Sequence, residues 1–370
     1  MNSNLTTEAG RYYKLLVPGL AENRPSVLKG DKIFIHVPGG LRFEGRVQST
    51  TEEFAIIDLP KSFSRAYIGG LRVDVRFTFS RTTLRTSHQS LMEFKKESTL
   101  QDKIIFPQLL DIEENPPLPP PDAKILICAP SNAATDVIVE RLSAYVSPRE
   151  MLRLNAYSRD KGTVPEDVMG YSKYNEEECS FHMPDMTTVK GYKVVAMTIS
   201  SAGKLPNHGI LDHFTHVFID EAGHSIEAEA IACFVSVTKQ DEHNPVVTVL
   251  AGDPKQLGPI IRSEVAKQFG LEKSLLERLT QREPYSRSDE ADVLGNHFDK
   301  RMITKLVHNY RSHQKILELP NKAFYDGDLI AEADITRSHR FANWEHLPQK
   351  GFPIIFHGCE GEDMREANSP

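Results

Sequence analysis

The sequence predicts an α/β protein: a parallel sheet with helical crossovers, preceded by a small antiparallel β-barrel. Two observations carry this. Residues 31 to 80 hold short strand-like runs separated by turns, the pattern of a small antiparallel barrel. Beyond Lys124, apolar runs alternate with helical stretches, which calls for parallel strands joined by crossovers. At 370 residues the chain has room for two or three domains, each with its own core.

In the first part, Lys32 to Val37 alternates, Pro38-Gly39-Gly40 turns, and Leu41 to Val47 alternates again. Phe54 to Leu59 is an apolar run, and Leu71 to Phe79 alternates Arg or Asp with Val and Phe. From about His88 to Asp122 the composition changes. Lys95-Lys96, the acidic run from Asp111 to Glu114 and the prolines from Pro116 to Pro121 read as a linker, extended where proline is dense. The resulting divisions are a barrel over 1–87, a linker over 88–122, an α/β unit over 123–300 and the start of a further α/β unit over 301–370.

In the α/β part, Lys124 to Pro130 reads as a buried strand, followed by a helix from Ser131-Asn132 to Leu142. Lys193 to Thr198, Val217 to Ile219 and Val246 to Ala251 are further strands, and Ile303 to Val307 is one more. Ligands of such sheets gather beyond the carboxyl ends of the strands, so the polar residues there carry the chemistry.

The first strand end gives Pro130, Ser131 and Asn132. A capping hydroxyl at a helix N-terminus suits a sugar-phosphate backbone, or serves only as a cap. The second brings the hydroxyls of Thr198 and Ser201, suited to the same backbone. The third ends in Asp220-Glu221, where Asp220 would hold Mg²⁺ and Glu221 would orient and deprotonate an attacking water; paired acids also occur as plain helix caps. The fourth gives Gly252-Asp253 and then Gln256, a neutral amide able to sense a γ-phosphate. After Val307, Tyr310 is placed to pack near a base. Arg311 is placed as an arginine finger stabilising phosphoryl-transfer charge. Asp289-Glu290-Ala291-Asp292 spells a signature known from other nucleotide sites but follows Tyr285-Ser286-Arg287-Ser288 rather than an apolar strand, and reads as a solvated loop.

The net charge of −7 argues against holding nucleic acid by bulk electrostatics, though not against a local basic track. Arg65, Arg72, Arg76, Arg81 and Arg85 form such a candidate, equally readable as solvated strand and loop charges. Cys128, Cys179, Cys233 and Cys359 are scattered without a Cys-x-x-Cys pair, which fits reduced thiols in a cytosolic or nuclear protein. No apolar run is long enough to span a bilayer, and Met1 to Thr7 lacks a basic-then-apolar leader; no membrane partner is expected.

Together, Ala129-Pro130-Ser131-Asn132, Ile219 to His224, Ala251 to Pro259, Ser274 to Leu279 and Asn309 to His313 resemble superfamily-one RNA helicases of the up-frameshift type. They are most similar to the Mov-ten/Armitage branch. Val17 to Val27 and Gly351 to Gly358 also look like this branch. The resemblance implies a RecA-like sheet of the P-loop NTPase type carrying a barrel domain, and the start of a second RecA-like domain. It further implies ATP and Mg²⁺ as cofactors, single-stranded RNA as substrate, partners in RNA silencing and mRNA decay, and cytoplasmic RNA granules or P-bodies as location.

One departure is decisive. A P-loop motor needs Gly-x-x-x-x-Gly-Lys-Ser/Thr after its first strand, because backbone N–H groups and the lysine cradle the phosphates. Between Leu84 and Lys124 there is no glycine, and Gly203-Lys204 is followed by Leu205 on the wrong strand end. The family's phosphate strand is central in its sheet, so losing it is expected to leave neighbouring strands with unpaired groups, at about 1–3 kcal/mol each. Impaired catalysis is therefore expected; the alternative is a non-catalytic RNA- or protein-binding fragment.

Overall fold

The computed structural model describes residues 2–361 apart from 10–11, 18–26, 28–29, 52, 69–71, 79–80, 97–100, 102–103, 106–118, 158, 178, 236, 239–245, 262 and 291–296. The Asp111 to Glu114 run, Pro116 and Pro117 of the proline cluster, most of Val17 to Val27, and Ala291-Asp292 lie outside the described residues. Asp289 and Glu290 are exposed and belong to no helix or strand.

Six antiparallel strands close a barrel in the order β1-β2-β5-β4-β3-β6. They are β1 (Asn2–Ala9), β2 (Tyr12–Leu16), β3 (Lys32–Val37), β4 (Leu41–Thr50), β5 (Phe54–Asp58) and β6 (Arg72–Thr78). Alternation builds it: Ile33, Ile35 and Val37 turn inward from β3, and Val73 and Val75 from β6, while the residues between them face out or lie part-covered. Each large aliphatic side chain so buried contributes roughly 1.5–3 kcal/mol. A short helix α1 (Lys61–Ala66) carries fully buried Phe63 into the core. There its ring meets Tyr13 at 5.0 Å, Phe43 at 5.2 Å and Tyr67 at 5.1 Å.

The first part of the expected linker is a helix. α2 (Thr82–Phe94) buries Thr86, Ser90 and Phe94, and Phe94 joins the core of the α/β unit, 6.1 Å from the Phe234 ring. The spacing of four residues places all three on one helical face, so linker composition at His88 does not mark a break in structure.

The α/β unit is a five-stranded sheet of order β13-β12-β7-β11-β8, parallel throughout. Its strands are β7 (Ile125–Ala129), β8 (Met151–Leu154), β11 (Val194–Thr198), β12 (His216–Ile219) and β13 (Val247–Leu250); a small hairpin supplies β9 (Tyr174–Asn175) and β10 (Ser180–Phe181). Helix α3 (Asn132–Leu142) follows β7, and α4 (Glu227–Ala232) precedes β13. β11 is buried at every position, as expected of a strand covered on both faces. The expected gap in the middle of the sheet is not there: β12, β7 and β11 are each paired on both sides. The open position is an edge instead. Among the described residues no strand pairs with the outer side of β13, where Val249 is 38% exposed.

Beyond residue 300, Ile303 to Val307 is not a strand. Lys305 bonds Asp328 at 2.7 Å and Leu306 is 85% exposed, so neither side chain serves a sheet face. The ladder is displaced to β14 (His308–Asn309), parallel to β15 (Ile330–Ala331), with α5 (Gln314–Phe324) between them.

Candidate nucleotide and nucleic-acid site

The carboxyl ends of β7, β11 and β12 converge on a cleft of about 270 Å³ lined by Pro130, Ile199, Ser200, His224, Ser225 and Glu229, among others. Ser131 caps α3, its hydroxyl accepting the Ala134 N–H at 3.1 Å. Asn132 turns its side-chain oxygen inward, where it accepts a bond from Arg153 at 3.0 Å. Arg153 is fully buried and bonds Asp136 of α3 at 2.9 Å; Arg159 grips the same carboxylate from the other side. This network fixes the start of α3 against the end of β8. At β11 the Thr198 hydroxyl donates to Ser201 at 2.9 Å and both are buried. The hydroxyl at that strand end presented to solvent is that of Ser200, between the two residues singled out from the sequence.

At the end of β12 the Asp220 N–H still donates to the Cys128 carbonyl at 2.8 Å, so the chain stays tied to β7 one step beyond the strand. Asp220 is half-buried. Glu221 then adopts φ 50° and ψ 38°, a left-handed conformation that costs a non-glycine residue roughly 1–2 kcal/mol. Strain of this kind persists where the surroundings over-determine it. Here they do: the Ala222 N–H donates to the Ala251 carbonyl at 2.8 Å. A Cβ on Gly223 would stand 2.9 Å from the Asp253 carbonyl oxygen, and one on Gly252 would stand 2.9 Å from the Ala222 nitrogen. This two-glycine clasp leaves the Glu221 carboxylate exposed beyond the sheet edge.

The loop after β13 is organised by Asp253. Its carboxylate accepts the Lys255 N–H at 2.9 Å, the Gln256 side-chain amide at 2.9 Å and the Tyr325 hydroxyl at 2.7 Å. Burial pushes the Asp253 pKa up, but these bonds outweigh it and hold the carboxyl below its usual range. Burial and the same bond push the Tyr325 phenol up to about 12. Gln256 thus spends its amide on Asp253 rather than pointing it at a nucleotide. Tyr325, just past α5, carries no motif that would have revealed it.

Tyr310 and Arg311 stand apart from the acids. The Asn309 side chain accepts the backbone N–H groups of Arg311 at 3.0 Å and Ser312 at 2.8 Å, forming the turn. Tyr310 is 71% exposed with its ring 6.3 Å from His308, and Glu332 beside it raises its pKa. Among the described residues no hydrogen bond or ion pair joins Tyr310 or Arg311 to Asp220 or Glu221. The structure therefore brings together Gly252, Asp253 and Gln256 with the Asp220–Glu221 turn, and sets Pro130 on the neighbouring cleft. It leaves the arginine outside.

A β-barrel followed by a parallel sheet, with paired acids at one strand end and a glycine-clasped polar loop at the next, defines a helicase-type ATPase fold. The model of the helicase MOV-10 β-barrel domain matches residues 1–77, and two AAA-domain models match residues 155–264 and 271–370. The chain is 36% identical over 428 residues to helicase mov-10-B.2 of Danio rerio, covering 97% of this chain and 41% of that protein. It is 34% identical over 427 residues to helicase MOV-10 of Gallus gallus, covering 96% and 43%. With RNA helicase armi of Drosophila melanogaster it shares 26% identity over 463 residues, covering 98% and 38%. The chain belongs to the Mov10 family of helicases. It spans about two fifths of the length of these relatives. A solved arterivirus helicase aligns with 90% of the chain and 58% of its own at a TM-score of 0.34 and 12% identity, a likeness too slight to carry weight.

Proposed function

We propose that this chain binds single-stranded RNA as a helicase-family protein but turns over ATP poorly or not at all, because the segment that cradles the phosphates is missing. The observation that supports this reading is the absence of a Gly-x-x-x-x-Gly-Lys-Ser/Thr segment, with no glycine at all between Leu84 and Lys124. The Danio rerio alignment is 428 positions long, yet 97% of 370 residues is about 359, so about 69 positions of that relative have no counterpart here. The alignment with human RNA helicase Mov10l1 is 253 positions long over 68% of the chain, about 252 residues, and so is almost gapless. Wherever that window lies, it includes residues 119–252. The glycine-free stretch from Leu84 to Lys124 runs into the start of that region.

Asp220 suits one ligand of a Mg²⁺ ion, which phosphate-transfer sites complete with water and the phosphates themselves. The glycine cradle for those phosphates has no match in the sequence. Without that cradle the residues present do not fit an ATP–Mg²⁺ complex. A part in RNA silencing and mRNA decay, with partners from those processes and a place in cytoplasmic RNA granules, completes the proposal on relationship alone.

The test is RNA-stimulated phosphate release from the purified chain. The expected rate equals that of its Glu221→Gln variant. RNA-dependent turnover that this substitution abolishes would overturn the proposal.

A further inference from the structure

The linear run of arginines in the barrel region resolves into different surfaces. Arg65 lies on α1 and Arg85 on α2, whereas Arg72 and Arg76 face outward from β6. Strand register then adds cations that the linear sequence does not group with them. Arg46 of β4 lies beside Lys32 of β3. Phe34 of β3 lies between Glu44 of β4 and Arg76 of β6, and His36 lies between Arg42 and Asp74. The outer face of β4-β3-β6 thus carries five lysine and arginine side chains against two carboxylates, on a chain whose total charge is −7.

Two details give the face its character. Lys32 pairs with Glu44 at 2.6 Å, and among the described residues Arg46, Arg72 and Arg76 have no ion-pair partner. The Arg42 guanidinium sits 3.7 Å from the centroid of the Phe34 ring. A planar cation stacked on an aromatic ring, flanked by unpaired arginines, offers a flat surface for a base and charges for the phosphates beside it. Single-stranded nucleic acid is bound by that combination. An acidic polypeptide would use the charges and leave the stack unused.

From this we infer that the outer face of β4-β3-β6 is a second binding surface for single-stranded RNA, separate from the cleft at the strand ends of the sheet. The inference rests on the RNA reading proposed above for the identity of the polymer. It adds where a further part of the strand is held.

The experiment measures binding of a labelled oligouridylate to the full chain by fluorescence anisotropy across a salt series. The double variant Arg46→Glu/Arg76→Glu is expected to bind about tenfold or more weakly, with a salt slope smaller by about two. Phe34→Ala is expected to lose roughly fivefold to a hundredfold, the span of one lost base stack, while Phe34→Tyr keeps its ring and its affinity. All these side chains lie on the outer face, so unchanged thermal melting verifies the fold. Ser200→Glu in the cleft separates the two readings. If Ser200→Glu abolishes binding and the barrel variants bind like wild type, the barrel surface is refuted and the RNA reading stands. If wild type binds no oligouridylate even at low salt, both fall. Displacement of the RNA by oligoglutamate as readily as by unlabelled oligouridylate would also overturn the inference.

Discussion

Asp136 shows how much one side chain can hold. It accepts bonds from two buried arginines, Arg153 and Arg159, and through Arg153 it also steadies Asn132. Removing its charge strands two cations in the interior, and breaking a buried pair in this way costs about 3–5 kcal/mol. Asp136→Asn should therefore lower the urea midpoint steeply, and an unchanged midpoint would show that the network contributes little. Nothing in the sequence marks this residue. Its partners are 17 and 23 positions away, and on a helix of mixed polarity it reads as one more solvated charge. Tyr325 was illegible for the same reason, since its partner Asp253 is 72 positions distant. That bond has a defined pH window. Asp253 is lowered, so its contribution is present above the ordinary aspartate range near 4 and is lost as acid takes it through its folded value. Tyr325 is raised, so its contribution holds below the ordinary phenol value near 10 and is lost as pH climbs toward about 12. The stability difference between wild type and Tyr325→Phe should be flat at neutral pH and shrink at both extremes. A difference independent of pH would mean the two groups are not coupled.

At the scale of elements, legibility followed the kind of residue that faces inward. β3, β6, β7, β11 and β12 announce themselves through Val and Ile at the spacing their burial requires, and the structure places them within a residue or two of expectation. β8 was missed because four residues containing a buried arginine do not look like a core strand. α2 was misread for the opposite reason. Its inward stripe is Thr86, Ser90 and Phe94, two small polar residues and one aromatic, set in a segment whose charges look like a tether. Phe94 is what binds α2 to the sheet unit. Phe94→Ala should cost about 3–5 kcal/mol and loosen α2 and α4 together in amide exchange, with exchange in β3 and β4 unaltered. If the barrel strands loosen instead, α2 belongs energetically to the barrel. The Asp220–Glu221 turn lies between these cases: the strand and its acids were readable, but the left-handed backbone at Glu221 and the clasp that enforces it are properties of two strand tails meeting.

For the whole molecule, the paired sheet and the missing phosphate segment make a direct prediction. Inserting a strand, loop and helix that carry Gly-x-x-x-x-Gly-Lys-Ser/Thr between α2 and β7 should yield RNA-stimulated ATPase activity that Glu221→Gln removes. Continued inactivity of a well-folded chimera would place the defect elsewhere. The outer side of β13 has a second consequence, for the life of the protein in a cell. Strand edges that face water are ordinarily guarded by a lysine, a proline or a bulge. β13 reads Val247-Thr248-Val249-Leu250, with no such guard and an apolar centre. Such an edge recruits strands from neighbouring molecules, so self-association should rise with concentration and be relieved by Val249→Lys, as light scattering would record. Such pairing would set an upper limit on the concentration at which the chain stays a single molecule.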